Sequence, residues 1–173
     1  MNATEGIAQV NTLATQYAFT IWNSASDFLI VLILVGLFFL FAWYYGRGPF
    51  VAILLAFYCA YALYVMFPYM SYLPTAPAMT AFLARVGVYL GLSFLFYIIL
   101  RRVVVSDFLY VGIFGLIALS FFAAAFLIAM AYNAFSITAV YQFTPAIDLL
   151  FSPAKYFFWW FAAPAIGLFF LAH

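Results

Sequence analysis

The sequence predicts an all-α integral membrane protein: a helical bundle of four to five transmembrane helices with an N-terminal amphipathic helix. Three observations carry this. Five Lys or Arg and four Asp or Glu are the only formal charges among 173 residues, 72% of the residues are apolar, and the mean hydropathy is +1.24. A soluble domain carries about 25% charged residues, so the 5% present here cannot build a water-facing surface. Apolar runs near the ~20 residues needed to cross a bilayer recur along the chain. Between them stand Pro, Gly and Ser-Asp signals of the kind that end and start helices.

Residues 1–25 form a segment of their own. Ile7, Val10, Leu13, Ala14, Tyr17 and Ile21 recur at helical spacing, with Asn11, Thr12, Thr15 and Gln16 between them. This pattern predicts an interfacial amphipathic helix with an almost uncharged polar face. The segment holds Glu5 and no Lys or Arg, so no cleaved signal with a positive n-region is expected.

Residues 26–133 hold a predicted four-helix transmembrane core. Ser26 and Asp27 are cap candidates for a first span from Phe28 to Tyr45. An Asp there suits the positive end of the helix dipole. Gly46-Arg47-Gly48-Pro49 ends that span, and Pro49 fits the first turn of the next, from Phe50 to about Phe67. Pro68, Pro74 and Pro77 make residues 68–77 a loop. The third span runs from about Ala78 to Val104, with Arg85 near its start and Arg101-Arg102 at its end. The fourth runs from Phe108 to about Tyr132, after Ser106-Asp107.

Residues 134–173 are predicted as a re-entrant or interfacial segment plus a fifth span. Ser136, Thr138, Gln142, Thr144, Pro145 and Asp148 interrupt the apolar pattern up to Ser152-Pro153. The following ~20 residues are just long enough to cross at about 1.5 Å each, with a kink expected at Pro164.

Orientation follows from basic residues in short loops. Arg47 and the Arg101-Arg102 pair fall on one side, which is then cytoplasmic, with the N-terminus outside and, for five spans, the C-terminus inside. Trp43, Tyr44 and Tyr45 would mark the inner interface, and Tyr69, Tyr72, Trp159 and Trp160 the outer one.

Candidate contacts are small-residue stripes. Ala52, Ala56 and Ala60 recur every four residues in the second span; Gly87 and Gly91 form a G-x-x-x-G in the third; Gly112 and Gly115 open the fourth. Such stripes let helices approach closely in lipid. Tyr58, Tyr61 and Tyr64 follow one another along the second span, and their hydroxyls need partners, most simply neighbouring carbonyls.

Several chemistries are excluded by residue supply. A net charge of +1 gives no electrostatic basis for nucleic-acid binding. The only His is His173 and the only Cys is Cys59, so no metal, haem or other cofactor set is expected, nor a Ser-His-Asp or Cys-His catalytic set. No phosphate-binding glycine loop is present. Arg85 is the most expensive residue, because an Arg at a span's centre costs about 3 kcal/mol to insert. It can snorkel outward, and Asp27 and Asp148 are expected on the same side. These three form a candidate intramembrane charge site: an ion pair that fixes packing, or a site for an anion or a gate.

Asp27 ahead of a long apolar span, then Gly46-Arg47-Gly48-Pro49-Phe50 and a second span, resembles the opening hairpin of the colicin V production protein family. The third span with Arg101-Arg102 at its end, then Asp107, Gly112 and Gly115, is similar to that family's second hairpin. The resemblance covers roughly residues 26–132. The chain differs in its single Arg after the first span and in the added segment 134–173. The resemblance implies a bacterial inner-membrane protein linked to envelope homeostasis or export, and it transfers no catalytic residue.

The expected function is therefore a non-catalytic helper or scaffold subunit of an envelope, export or transport assembly. Its partners would be membrane lipids and other membrane subunits or further copies of itself. The alternatives are a small channel or carrier using Arg85 with Asp27 or Asp148, and a lipid-facing accessory subunit of an energy-converting complex.

Overall fold

The structure is a computed structural model that describes residues 25–103 and 112–171. The expected amphipathic helix, Asp107 and His173 lie outside the described residues, apart from Ala25 at the edge of the first span. The rest is an all-α bundle. Five helices are long and apolar enough to cross a membrane: α1 (Ala25–Tyr45), α2 (Arg47–Val65), α3 (Ala78–Val103), α4 (Ile113–Asn133) and, after the short α5 (Pro145–Phe151), α6 (Ala154–Leu171). The fifth span expected from the sequence is thus a helix of the required length and apolarity.

Helix ends follow local chemistry. A single residue, Gly46, joins α1 to α2. Its φ of +95° is a conformation that side chains disfavour, so the hairpin turns within one glycine. Pro49 sits in the first turn of α2, where its missing N–H costs nothing. α2 therefore begins at Arg47, a turn earlier than the sequence pattern places it. The proline-bearing loop holds one 3-10 turn, Met70–Tyr72. Gly112, expected inside the fourth span, instead precedes α4 in extended backbone, because the helix begins only at Ile113.

α2 packs on α3, and α4 on α6. α4 is the central helix: 61% of its membrane-length apolar stretch is buried, against 11% for α3 and α6 and 17% for α1. Leu119, Ala123, Ala124, Phe126 and Met130 line its buried side. Ala52, Ala56 and Ala60 are also buried, as a stripe for close approach should be. Gly87 and Gly91 behave otherwise. A methyl group added at either would meet nothing within 4 Å, so this G-x-x-x-G faces away from every described helix of the chain. A close approach is made by Gly167 of α6, where an added Cβ would lie 2.8 Å from Phe122 and 3.1 Å from Leu119 of α4.

Aromatic rings fill the spaces that the alanines leave. Phe57 of α2 stacks on Phe126 of α4 with centroids 6.1 Å apart and planes 10° from parallel. Phe57 also meets Phe38 of α1 and Tyr89 of α3. Phe126 reaches Phe161 of α6 at 5.3 Å. Five helices thus meet through one connected set of rings.

Hydroxyls inside the bundle are satisfied by backbone. Ser93 and Ser120 each donate to the carbonyl four residues earlier, at 2.8 and 2.7 Å. Tyr89 donates to the Phe57 carbonyl at 3.1 Å. Tyr58 explains how α6 tolerates Pro164 within a helix. Its hydroxyl donates to the Phe161 carbonyl at 2.6 Å and accepts from the Ala165 N–H at 3.2 Å. Those are the two groups that an unbroken helix joins to each other, so the phenol bridges the rung that the proline disturbs.

Candidate functional site

Two carboxylates and the hydroxyls bonded to them gather at one end of the bundle, where α1 begins, α4 stops and α6 starts. α4 ends at Asn133, whose side-chain amide donates to the carbonyls of Ala129 and Phe151. The chain then turns through Ser136, in the left-handed region at φ 56°, and a 3-10 turn at Ile137–Ala139. Residues 141–144 run past the first turn of α1 before Pro145 opens α5 as its first helical residue. Ile147 and Phe151 of α5 pack on Ala125, Ile128, Ala129 and Tyr132, so α5 lies against the last turns of α4.

Asp27 ties this segment to α1. It is 2% exposed, and its two oxygens take two different donors: the Tyr141 hydroxyl at 2.8 Å and the Thr144 backbone N–H at 2.5 Å. The Asp27 carboxylate that accepts the Tyr141 hydroxyl pushes that phenol above its ordinary range. The Thr144 hydroxyl is buried and has no partner. Asp148, in the first turn of α5, accepts the Tyr132 hydroxyl at 2.5 Å. Tyr132 also lies within electrostatic reach of Asp27. The rings of Tyr132, Phe143 and Tyr141 pack in series, at 5.5 and 4.7 Å.

The structure therefore brings two of the three expected charge-site residues to one place and gives them different partners. Among the described residues, Arg85 makes no ion pair with Asp27 or Asp148. It lies half-buried on α3, within electrostatic reach of the Tyr64 hydroxyl. The expected pairing is corrected in this respect. A buried carboxylate can be satisfied by hydrogen-bond donors alone, and the segment 141–144 supplies two of them to Asp27. Tyr132, Tyr141 and Thr144 were not anticipated as partners. No sequence pattern links residue 27 with residues 141 and 144. The one hint is that tyrosines flanking an apolar span need acceptors.

Chemically, the arrangement is two carboxylates, two phenols and an orphan hydroxyl at one membrane boundary. Groups of three or more His, Cys, Asp or Glu are absent among the described residues, so these residues form no metal-ligand cluster of that kind. The arrangement works as a clasp between α1, α4 and α5.

The opposite end is basic. Arg47 opens α2, and Arg101 and Arg102 occupy the last turn of α3, where they complement the helix dipole. Trp43, Tyr44 and Tyr45 are exposed at this end, and Tyr69, Tyr72 and Trp159 at the other, as two aromatic belts require. In a Cys59→Ser background, single cysteines replacing Arg47 and Tyr72 are expected to react with an impermeant thiol reagent from opposite sides. Reaction of both from one side contradicts the arrangement.

Comparison with known proteins finds no matching family model, curated protein or solved structure.

Proposed function

We propose that the chain is a non-catalytic helper or scaffold subunit of an envelope, export or transport assembly, held in a bacterial inner membrane with its basic end in the cytoplasm. The observation that carries this reading is how the bundle is filled. Its centre is closed by alanines, leucines and stacked rings around α4, and the buried serines bond to their own helices. A solute path through one protomer needs polar groups at successive depths. Here the mid-depth hydroxyls of Tyr58, Tyr89, Ser93 and Ser120 are taken up by backbone carbonyls, and the carboxylates lie at one end. α3 and α6 meanwhile carry broad apolar faces, each with only 11% of its apolar stretch buried. Those faces suit lipid and neighbouring helices. The resemblance to the colicin V production protein family points the same way, toward envelope function.

The second reading, a small carrier, is favoured by one observation: Asp27 and Asp148 each accept a tyrosine hydroxyl, from Tyr141 and Tyr132, at the same end of the bundle. In that reading the two carboxylates would line an ion's way in or out. Liposomes holding the purified chain separate the two readings. The helper reading expects no saturable flux of protons, Na⁺, K⁺ or chloride above empty vesicles. Saturable flux that Asp27→Asn or Arg85→Ala abolishes replaces it with the carrier reading.

A further inference from the structure

An apolar groove of about 400 Å³ opens on the outer surface between α1, α2 and α3. Phe38 and Phe57 form its floor and are almost fully buried. Leu37, Leu90 and Phe94 form its rim and are about half exposed or more. The volume falls in the range of about 300–1,000 Å³ typical of ligand pockets. Its hydroxyls are those of Ser93, donated to the Tyr89 carbonyl, and of Tyr97. Tyr97 stands at the end of the groove toward the basic side, its ring edge-on to Phe41 of α1 at 6.2 Å.

Helical phase extends this wall to a charge. Leu90, Phe94, Tyr97 and Arg101 are spaced i, i+4, i+7 and i+11, so they share one face of α3. Arg101 is exposed and lies about 12 Å beyond Ser93 at ~1.5 Å per residue. That is the layout of an amphiphile's site. The cleft lies at hydrocarbon depth, a phenol stands at its lower end, and a guanidinium follows one turn further on, where headgroups begin.

We infer that this groove binds one acyl chain of an anionic glycerophospholipid whose phosphate is held by Arg101. Charge decides between this occupant and the other natural one, α3 of a second copy. Two copies inserted with the same orientation bring Arg101 and Arg102 of each to the same membrane boundary, like charge against like. A phospholipid brings the opposite charge, and basic clusters at helix ends favour such headgroups by about 1 kcal/mol per residue. The inference does not depend on the helper reading, because a carrier with this groove would hold the same lipid.

The test is native mass spectrometry of the purified full chain titrated with palmitoyl-oleoyl phosphatidylglycerol and, separately, with the matching phosphatidylcholine. One phosphatidylglycerol per chain is expected to bind roughly fivefold more tightly than phosphatidylcholine. Arg101→Gln is expected to bring the two lipids level. Leu90→Trp, which fills the groove, is expected to weaken both by roughly fivefold or more, while Leu63→Trp, on an exposed site of α2 outside the groove, changes neither. Should Leu90→Trp fail to fold, Leu37→Trp on the opposite wall gives the same readout. Equal binding of the two lipids by the unaltered chain overturns the inference. So do lipid adducts that survive a filled groove, and so does a dimer in place of the adduct.

Discussion

Gly167→Leu is expected to lower the stability of the bundle in detergent by about 3 kcal/mol, whereas Gly167→Ala changes it by about 1 kcal/mol or less. Two effects oppose each other at this position. Glycine inside a helix costs about 1 kcal/mol relative to alanine, so a good helix former such as alanine or leucine gains about that much. Against it stands the contact between α6 and α4. The added Cβ lies 2.8 Å from a ring carbon of Phe122 and 3.1 Å from Leu119. Phe122 is half-buried and can swing toward lipid, but Leu119 is fully buried and cannot. One methyl is therefore accommodated by the ring, and its strain is offset by propensity. A leucine needs the Leu119 side to yield as well, and overpacking of that kind costs about 1–3 kcal/mol or more. Trp159 and Trp160 of α6 report the unfolding by fluorescence during a denaturing-detergent titration. Gly91→Leu is the control, since nothing lies within 4 Å of its added Cβ. Equal losses from Gly91→Leu and Gly167→Leu would mean that the α4–α6 contact is not where the bundle is tight.

The same pair of glycines shows what the sequence reveals and where it stops. The spans were legible because bilayer thickness sets a length, and apolar runs of that length bounded by Pro, Gly and Ser-Asp have few other uses. Ala78–Val103 and Ala154–Leu171 follow that rule almost to the residue. A small residue every fourth position says that one face of a helix is smooth, but not what lies against it. Ala52, Ala56 and Ala60 turn inward, while Gly87 and Gly91 turn out. Gly167, four residues after Ala163 in a pair that the stripes named above do not include, makes a close contact with α4. The charge site was half legible for a similar reason. Placing Asp27 and Asp148 at one end needs only counting of spans. Choosing their partners needs the path of residues 134–144, which has no periodicity to read. Coulomb attraction favours Arg85 as the partner, but Asp27 is met by hydrogen bonds from a phenol and a backbone amide that the turn at Ser136 brings round.

That clasp sets the second large effect. Asp27→Leu is expected to release residues 136–148 from α1. Hydrogen bonds to a charged acceptor contribute about 1.5–3 kcal/mol each, and Asp27 accepts two. Part of this is returned, because leucine does not carry the desolvation cost of a buried carboxylate. A net loss of about 3 kcal/mol for the segment corresponds to roughly hundredfold faster amide exchange there. Hydrogen–deuterium exchange on peptides spanning 136–148 measures it directly, with peptides from the middle of α4 as the internal reference. Asp27→Asn should fall between, since an amide offers only one oxygen to the two donors. Asp148→Leu supplies the contrast. It strands the Tyr132 hydroxyl but leaves the Thr144 N–H on Asp27, so the protection of Thr144 should persist. If Asp27→Leu leaves 136–148 as protected as before, the segment is held by the packing of Ile147 and Phe151 on α4. In that case Asp27 is not a clasp. Its buried carboxylate would then have no structural use at that end of the bundle, which strengthens the proton-carrier reading over the helper one.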